Sequence, residues 1–253
     1  MERIDICGVR VSSVNLTTAC ELIDEWIKNQ KKTYICVAPV STIVDCQKDE
    51  EYRKIVNNAD MVTADGMPLV WLGRWRGHQR IERTYGPDLM LALCEYGREK
   101  GYRHYLYGGT VDTCRLLEER LKRNFPGLKI VGKHSPPFRP GFIMEKNEIL
   151  NEINKANPDI LWIGLGSPKQ DYWMYHIRPH LDCPVMIGVG AAFDFLSGVK
   201  KQAPKWLQES GLEWFYRLCC EPRRLWKRYL IGNSQFIYYV LKNCLKKKDQ
   251  QQL

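Results

Sequence analysis

The chain reads as an α/β protein: a mostly parallel, Rossmann-like sheet flanked by helices, followed by a basic helical C-terminal appendage. Three observations predict this. Short apolar runs alternate with helical patterns of about 10–15 residues, as in βαβ units with right-handed crossovers. Several of those runs end in glycine or a sharp turn. Beyond Gly198 the alternation stops and only helical patterns remain. At 253 residues there is room for one large domain, or a domain with an appendage. We place the core at residues 1–199 and the appendage at 200–253.

Residues 3–11 alternate apolar and polar like one short strand, and Asn15-Leu16-Thr17-Thr18 opens a helical pattern that reaches Ile27. Residues 34–37 are a strand of the buried type, followed by a helix ending near Asn58. Residues 61–64 form the next strand and run into Asp65-Gly66-Met67-Pro68. Residues 71–85 are basic and rich in Gly and Trp, which predicts a loop or a broken helix. Pro87 suits the first turn of a helix reaching Lys100. Residues 103–107 are a strand closing in Gly108-Gly109-Thr110, and the helix after it runs to Asn124, where Pro126-Gly127 breaks it. Residues 129–132 are a strand; Pro136-Pro137 and Pro140-Gly141 mark a loop, and 145–156 are helical. Residues 160–166 are a strand and glycine turn, with Pro168 at a helix start. The last strand, within 184–189, closes in Gly190-Ala191-Ala192-Phe193-Asp194.

The ten cysteines are scattered without a C-x-x-C pair, so a zinc site of the usual spacing is not expected. The Met-Glu-Arg-Ile-Asp start lacks the apolar region of a signal peptide, and a reducing, cytoplasmic compartment is expected. No apolar stretch of about 18 residues is present to span a bilayer. The net charge of +9 is unevenly placed: residues 200–253 hold 12 Lys and Arg against 4 Asp and Glu, and the rest is close to neutral. Such asymmetry predicts a tail that meets an anionic surface.

Asp65 stands where a strand stops, and in open α/β sheets ligands bind outside the carboxyl ends of the strands. Spacing alone favours a helix N-cap over a site residue, because Asp accepts orphan backbone N–H bonds there. Gly108-Gly109, Gly164-x-Gly166 and Gly188-x-Gly190 close three strands. Glycine there lets backbone amides approach phosphate oxygens, and it also ends strands for steric reasons alone. The full G-x-G-x-x-G fingerprint is missing after the first strand, which argues against a nicotinamide enzyme. With no Asp-x-Asp dyad to hold a divalent cation, a leaving diphosphate would be met by Arg, Lys and amides. The five histidines show no ligand spacing.

In the appendage, Pro204-Lys205-Trp206-Leu207 and Trp214-Phe215-Tyr216-Arg217 precede Pro222, which starts a new helix where Arg224 and Arg228 share a face. Trp226, Tyr229, Phe236, Tyr238 and Tyr239 supply aromatics, and Lys246-Lys247-Lys248 ends the run. Basic residues with interfacial aromatics suit a helix lying on an anionic leaflet. A packed helical hairpin and a nucleic-acid contact are the lesser alternatives, and exposed Trp and Leu could equally meet a second copy of the chain.

These stretches resemble a known family. Asp65-Gly66-Met67-Pro68-Leu69-Val70-Trp71, Gly164-Leu165-Gly166-Ser167-Pro168-Lys169-Gln170 and Gly188-Val189-Gly190-Ala191-Ala192-Phe193-Asp194-Phe195-Leu196-Ser197-Gly198 carry it. So do Ala203-Pro204-Lys205-Trp206, Gly211-Leu212-Glu213-Trp214 and Glu221-Pro222-Arg223-Arg224-Leu225. Together they look like the WecG/TagA/CpsF glycosyltransferases, family 26 of that class, from about residue 5 to residue 240. The resemblance implies inverting, metal-independent transfer of N-acetylmannosamine or its uronic acid from a UDP donor to a polyprenyl-diphosphate-linked sugar. It also implies a peripheral enzyme of bacterial cell-surface polysaccharide synthesis, at the cytoplasmic face of the membrane, with no cofactor and no nucleic-acid partner. The family's general base falls on Asp65. Its substrate contacts fall on Arg83, Gln170 and, beside the base, Thr63, and its diphosphate-closing arginines on Arg217, Arg224 and Arg228. Gly108, Gly109, Gly164, Gly166, Gly190, Phe193 and Asp194 are the expected nucleotide-sugar contacts.

Two departures stand out. Val37-Ala38-Pro39 replaces the family's Thr-x-Asn, with Ser41 and Thr42 as nearby substitutes, and Ala64 replaces the Pro before the catalytic Asp. Two other readings follow: the same fold moving another UDP-sugar, and a non-catalytic adaptor that binds a nucleotide sugar at the membrane.

Overall fold

The computed structural model describes residues 1–137 and 144–251, with side chains as far as residue 245. The expected loop at Pro140-Gly141 and the side chains of Lys246-Lys247-Lys248 lie outside the described residues.

The first segment is a hairpin instead of one strand: β1 (Arg3–Ile6) pairs antiparallel with β2 (Val9–Ser12). Cys7 and Gly8 between them have φ of 53° and 80°, the positive pair that a tight two-residue turn requires. α1 (Leu16–Lys28) follows, its first turn capped by the Asn15 side chain accepting from the Thr18 N–H. β3 (Thr33–Ala38) is buried at every position, as a central parallel strand must be. The long helix expected after it is two helices, α2 (Val40–Lys48) and α3 (Glu50–Asn58). Asp49 breaks them with extended backbone, and its carboxylate then caps α3 by accepting from the Tyr52 N–H at 2.9 Å.

β4 (Met61–Ala64) leads into α4 (Met67–Trp75), so the first third of the Gly- and Trp-rich stretch is helical. Next come α5 (Gly86–Arg98), β5 (Arg103–Gly108), α6 (Val111–Asn124), β6 (Lys129–His134) and α7 (Asn147–Ala156). β7 (Ile160–Gly164), α8 (Lys169–Ile177), β8 (Val185–Gly188) and α9 (Ala192–Ser197) complete the α/β part.

β3 to β8 form one six-stranded parallel sheet in the order β4-β3-β8-β7-β5-β6. Alternate strand residues face opposite sides. Tyr34, Cys36, Leu161 and Ile163 pack with α2, α3, α7 and α8, while Ile35, Val37, Trp162 and Ile187 pack with α1, α5, α6 and α9. The helices after β3 and β7 therefore cover one face, and the helix after β8, which lies between those two strands, covers the other. Diverging exits of this kind open a crevice at the strand ends, which is where open α/β sheets bind ligands.

The chain closes with α10 (Lys205–Glu209), α11 (Glu213–Cys220), α12 (Pro222–Trp226), a wide turn at Lys227–Ile231, and α13 (Gly232–Gln251). α13 lies against α2, and Phe236 is 6% exposed within the same apolar cluster as the sheet. Among the described residues no helix is long and apolar enough to cross a membrane.

Candidate active site

Asp65 extends the sheet by one step, its N–H donating to the Ala38 carbonyl at 3.1 Å. Gly66 takes the cap position of α4 with no side-chain hydrogen bond. The cap alternative is therefore corrected: Asp65 does not cap the helix that follows it. Its Oδ1 accepts instead from the N–H of Gly86, the first residue of α5, at 3.4 Å. Thr63 and Ala64 pin that neighbouring segment. The Thr63 hydroxyl donates to the Thr84 carbonyl at 3.1 Å, and the Thr84 N–H donates to the Ala64 carbonyl at 2.9 Å. Thr63 is fully buried, lines neither of the two cavities at Asp65, and positions the loop through its hydroxyl bond.

Two cavities meet at Asp65. One, of about 310 Å³, is polar and lies at the ends of β3, β7 and β8. Gly164, Gly166, Gly190, Gln170, Phe193 and Asp194 line it, facing Arg217, Arg224, Arg228 and Lys200. The other, of about 630 Å³, is apolar and lies between α4 and the C-terminal helices. Pro39, Asp65, Arg217 and Arg228 belong to both.

Burial pushes the Asp65 carboxyl up to about 6, and the negative charge of Glu213 adds to the rise against the opposing Arg83 and Arg217. A carboxylate tuned this way is half-ionised near pH 6 and able to take a proton at neutral pH. Arg83 is fixed around it. Its Nε donates to the Asp65 carbonyl at 2.9 Å, its Nη1 to Gln208 Oε1 at 3.0 Å, and its Nη2 to Glu213 in a short ion pair. Tyr85 donates to the other Glu213 oxygen at 2.8 Å, and the Arg83 guanidinium stacks 3.9 Å from the Tyr85 ring centre.

The remaining cations have distinct settings. Arg228 donates through Nε and Nη2 to the Ser41 hydroxyl at 3.1 and 2.8 Å, and Ser41 lines the apolar cavity. Arg224 grips Glu221 through two bonds of 2.6 Å, and Lys200 pairs with Asp194 at 3.1 Å. Arg217 lies 5.3 Å from the Phe195 ring centre. Gln170, 2% exposed, shapes the glycine turn by accepting from the Gly166 N–H and donating to the Ser167 hydroxyl, both at 3.2 Å.

Of the expected residues, Asp65, Arg83, Gln170, Arg217, Arg224, Arg228, Gly164, Gly166, Gly190, Phe193 and Asp194 line one or both cavities. Gly108 and Gly109 do not. A Cβ on Gly108 would sit 2.6 Å from the Gly164 backbone, so this glycine is spent on the close approach of β5 to β7. Thr42 is buried and lines neither cavity. Sequence reasoning assigned no role to Glu213, Tyr85, Gln208, Ser167 or Lys200. The signal was there for Glu213, one of few acids in a strongly basic tail.

A carboxylate with a raised pKa, a cation-rich polar cavity and an adjoining apolar one suit transfer between an anionic and an amphipathic substrate. The sequence profile of the glycosyl transferase WecG/TagA/CpsF family matches residues 4–250. The chain is similar to the N-acetylglucosaminyldiphosphoundecaprenol N-acetyl-beta-D-mannosaminyltransferase of Bacillus subtilis strain 168, at 30% identity over 98% of this chain and 94% of the relative. Proteins of the same name from Bacillus spizizenii strain W23 and Staphylococcus aureus strain NCTC 8325 are 28% and 25% identical. Those alignments cover 86% and 95% of this chain, and 82% and 92% of the relatives. Since the match spans nearly the whole chain and includes every residue at the junction of the two cavities, the chain belongs to the glycosyl transferase WecG/TagA/CpsF family and is a glycosyltransferase.

Proposed function

We propose that the protein transfers N-acetylmannosamine, or its uronic acid, from a UDP donor to N-acetylglucosamine carried on a polyprenyl diphosphate. The observation that carries this reading is the position of Asp65 at the junction of a polar and an apolar cavity. The donor diphosphate occupies the polar cavity, where Arg217, Arg224, Arg228 and Lys200 supply charge and the glycines at Gly164, Gly166 and Gly190 leave room. The acceptor sugar enters from the apolar side.

Asp65 takes the proton from the acceptor hydroxyl as its oxygen forms a bond to the anomeric carbon. The bond from that carbon to the UDP oxygen breaks on the opposite face, so the configuration inverts. Ionised Asp65 contributes about 10²–10⁴-fold as a positioned base. Guanidinium groups stabilise the departing diphosphate, the electrostatic share that usually dominates. No metal and no cofactor enters this scheme. The protein works peripherally at the cytoplasmic leaflet, drawn there by its basic tail at roughly 1 kcal/mol per basic residue near the surface.

One observation favours a second reading in which the sugar differs. Val37 and Pro39 line the polar cavity where the family resemblance expects Thr and Asn, and this removes two hydrogen-bonding side chains from a sugar. Single-turnover mass spectrometry with a panel of UDP-sugars and a short-chain diphosphate acceptor tests both. Product from UDP-N-acetylmannosamine or its uronic acid supports the first reading and product from any other donor the second. UDP-sugar binding without any product identifies a non-catalytic adaptor.

A further inference from the structure

The apolar cavity has two walls of different origin. Met67, Trp71 and Trp75 come from α4 of the α/β core, while Ile237, Val240 and Leu241 come from α13. Trp71 is held in place by the loop after α10, where a Cβ on Gly211 would sit 2.8 Å from the indole. The rim is open to solvent: Trp71, Trp75, Ile237 and Leu241 are 51%, 73%, 59% and 59% exposed. Single exposed apolar residues are ordinary, but a contiguous set around a cavity marks a binding surface. The inner end is the reverse, with the Arg217 and Arg228 guanidinium groups and the Asp65 carboxyl.

A ligand that fits both ends is anionic at its head and a branched hydrocarbon behind it. A sugar would leave most of its hydroxyls without partners against these walls. The volume of about 630 Å³ is that of a small-molecule site, enough for a few isoprene units and far too little for a whole polyprenyl chain.

We propose that this cavity is a slot for the isoprene units nearest the acceptor diphosphate, walled by α4 and α13 and open at the Trp75–Leu241 rim to the bilayer that holds the rest of the chain. The class of ligand rests on the function proposed above; the slot itself rests on the cavity. It makes α4, a core helix outside the basic tail, a lipid-contacting element.

The test uses the full-length protein and two probes, farnesyl diphosphate and inorganic diphosphate, followed by calorimetric titration. Farnesyl diphosphate is expected to bind about tenfold more tightly or better, because each buried methylene adds affinity. Trp75→Asp and Ile237→Asp, one on each wall, are each expected to abolish that preference while UDP affinity stays within about twofold. A photoreactive farnesyl diphosphate is expected to label residues 67–75 and 233–241 of the unsubstituted protein, a readout that needs no variant to fold. Equal affinity for the two probes, a preference that survives both substitutions, or labelling confined to other segments overturns the slot. Sugar transfer is scored separately. Prenyl binding here without transfer refutes the proposed function and leaves the slot, and transfer without prenyl preference does the opposite.

Discussion

Arg83, in the loop before α5, and Glu213, the first residue of α11, form an ion pair that couples the Asp65 turn to the C-terminal helices. Both side chains are largely buried, at 13% and 14% exposed, and both carboxylate oxygens of Glu213 are engaged, one by Arg83 and one by Tyr85. Docking of α11, placement of Arg83 and the charge state of Asp65 are thus one network. Glu213 acts in it as a positioning residue and as the negative charge that helps hold the Asp65 carboxyl high.

Replacing Glu213 with Gln keeps the shape and removes that charge. Arg83 loses its ionic partner, and transfer is expected to fall on the order of 10–100-fold, the scale of a small misplacement at a reacting centre. With one neighbouring anion gone, the Asp65 carboxyl ionises at lower pH. The rising limb of kcat/KM, expected near pH 6 in the unsubstituted enzyme, therefore moves to the acid side. A pH–rate profile checks this. A lower rate with an unmoved limb would confine Glu213 to packing.

Asp65→Asn is expected to reduce transfer by about 10²–10⁴-fold while leaving a folded protein. It is also expected to be more stable at neutral pH. The Asp65 pKa is raised on folding, so the unfolded chain ionises first and stability falls as pH rises through roughly 4 to 6. An amide escapes that cost, on the order of 1–2 kcal/mol after allowance for partial exposure. Urea unfolding of both proteins near pH 5 and pH 8 measures it: the gap between them should widen with pH. The trade of stability for function is the usual one at an active site.

The fork from Arg228 to Ser41 gives a third expectation. Nε and Nη2 converge on one hydroxyl, a geometry that the single ammonium of Lys cannot reproduce. Arg228→Lys should lose about tenfold in kcat/KM despite keeping the charge, and Ser41→Ala only a few-fold, because the guanidinium remains. Steady-state kinetics with varied donor concentration separates the two. Equal rates for the Arg and Lys forms would reduce the role of Arg228 to charge alone.

Much of the sheet was legible because each strand is an apolar run closed by a turn signal, and a parallel strand buried on both faces has no other pattern to show. The Cys7-Gly8 turn escaped because cysteine at positive φ is no turn signal, and the break at Asp49 because the surrounding residues suit a helix. Asp65 could be read from its place at a strand end. The close approach of Gly108 to Gly164 could not be read, since a glycine that admits a neighbouring strand and one that admits a phosphate look alike in sequence. Glu213 received no role because its partner Arg83 lies 130 residues away, and only the fold brings them together.

The tail is expected to contribute to folding as well as to binding. Composition sets residues 200–253 apart, yet Phe236 and Leu225 are buried and α13 lies along α2. Phe236→Ala removes a ring from the main apolar cluster, a change that typically costs about 3–5 kcal/mol in a closed core. Phe236 also borders the apolar cavity, so the hole opens onto existing space and the cost should fall below that range, at about 2–3 kcal/mol. Its prenyl diphosphate affinity should fall with it, whereas Leu225→Ala, outside both cavities, should lower stability alone. Urea midpoints paired with farnesyl diphosphate titration distinguish the two. If Phe236→Ala left the midpoint unchanged, α13 would contribute little to stability, and the tail would be an adjunct to a core that is complete without it.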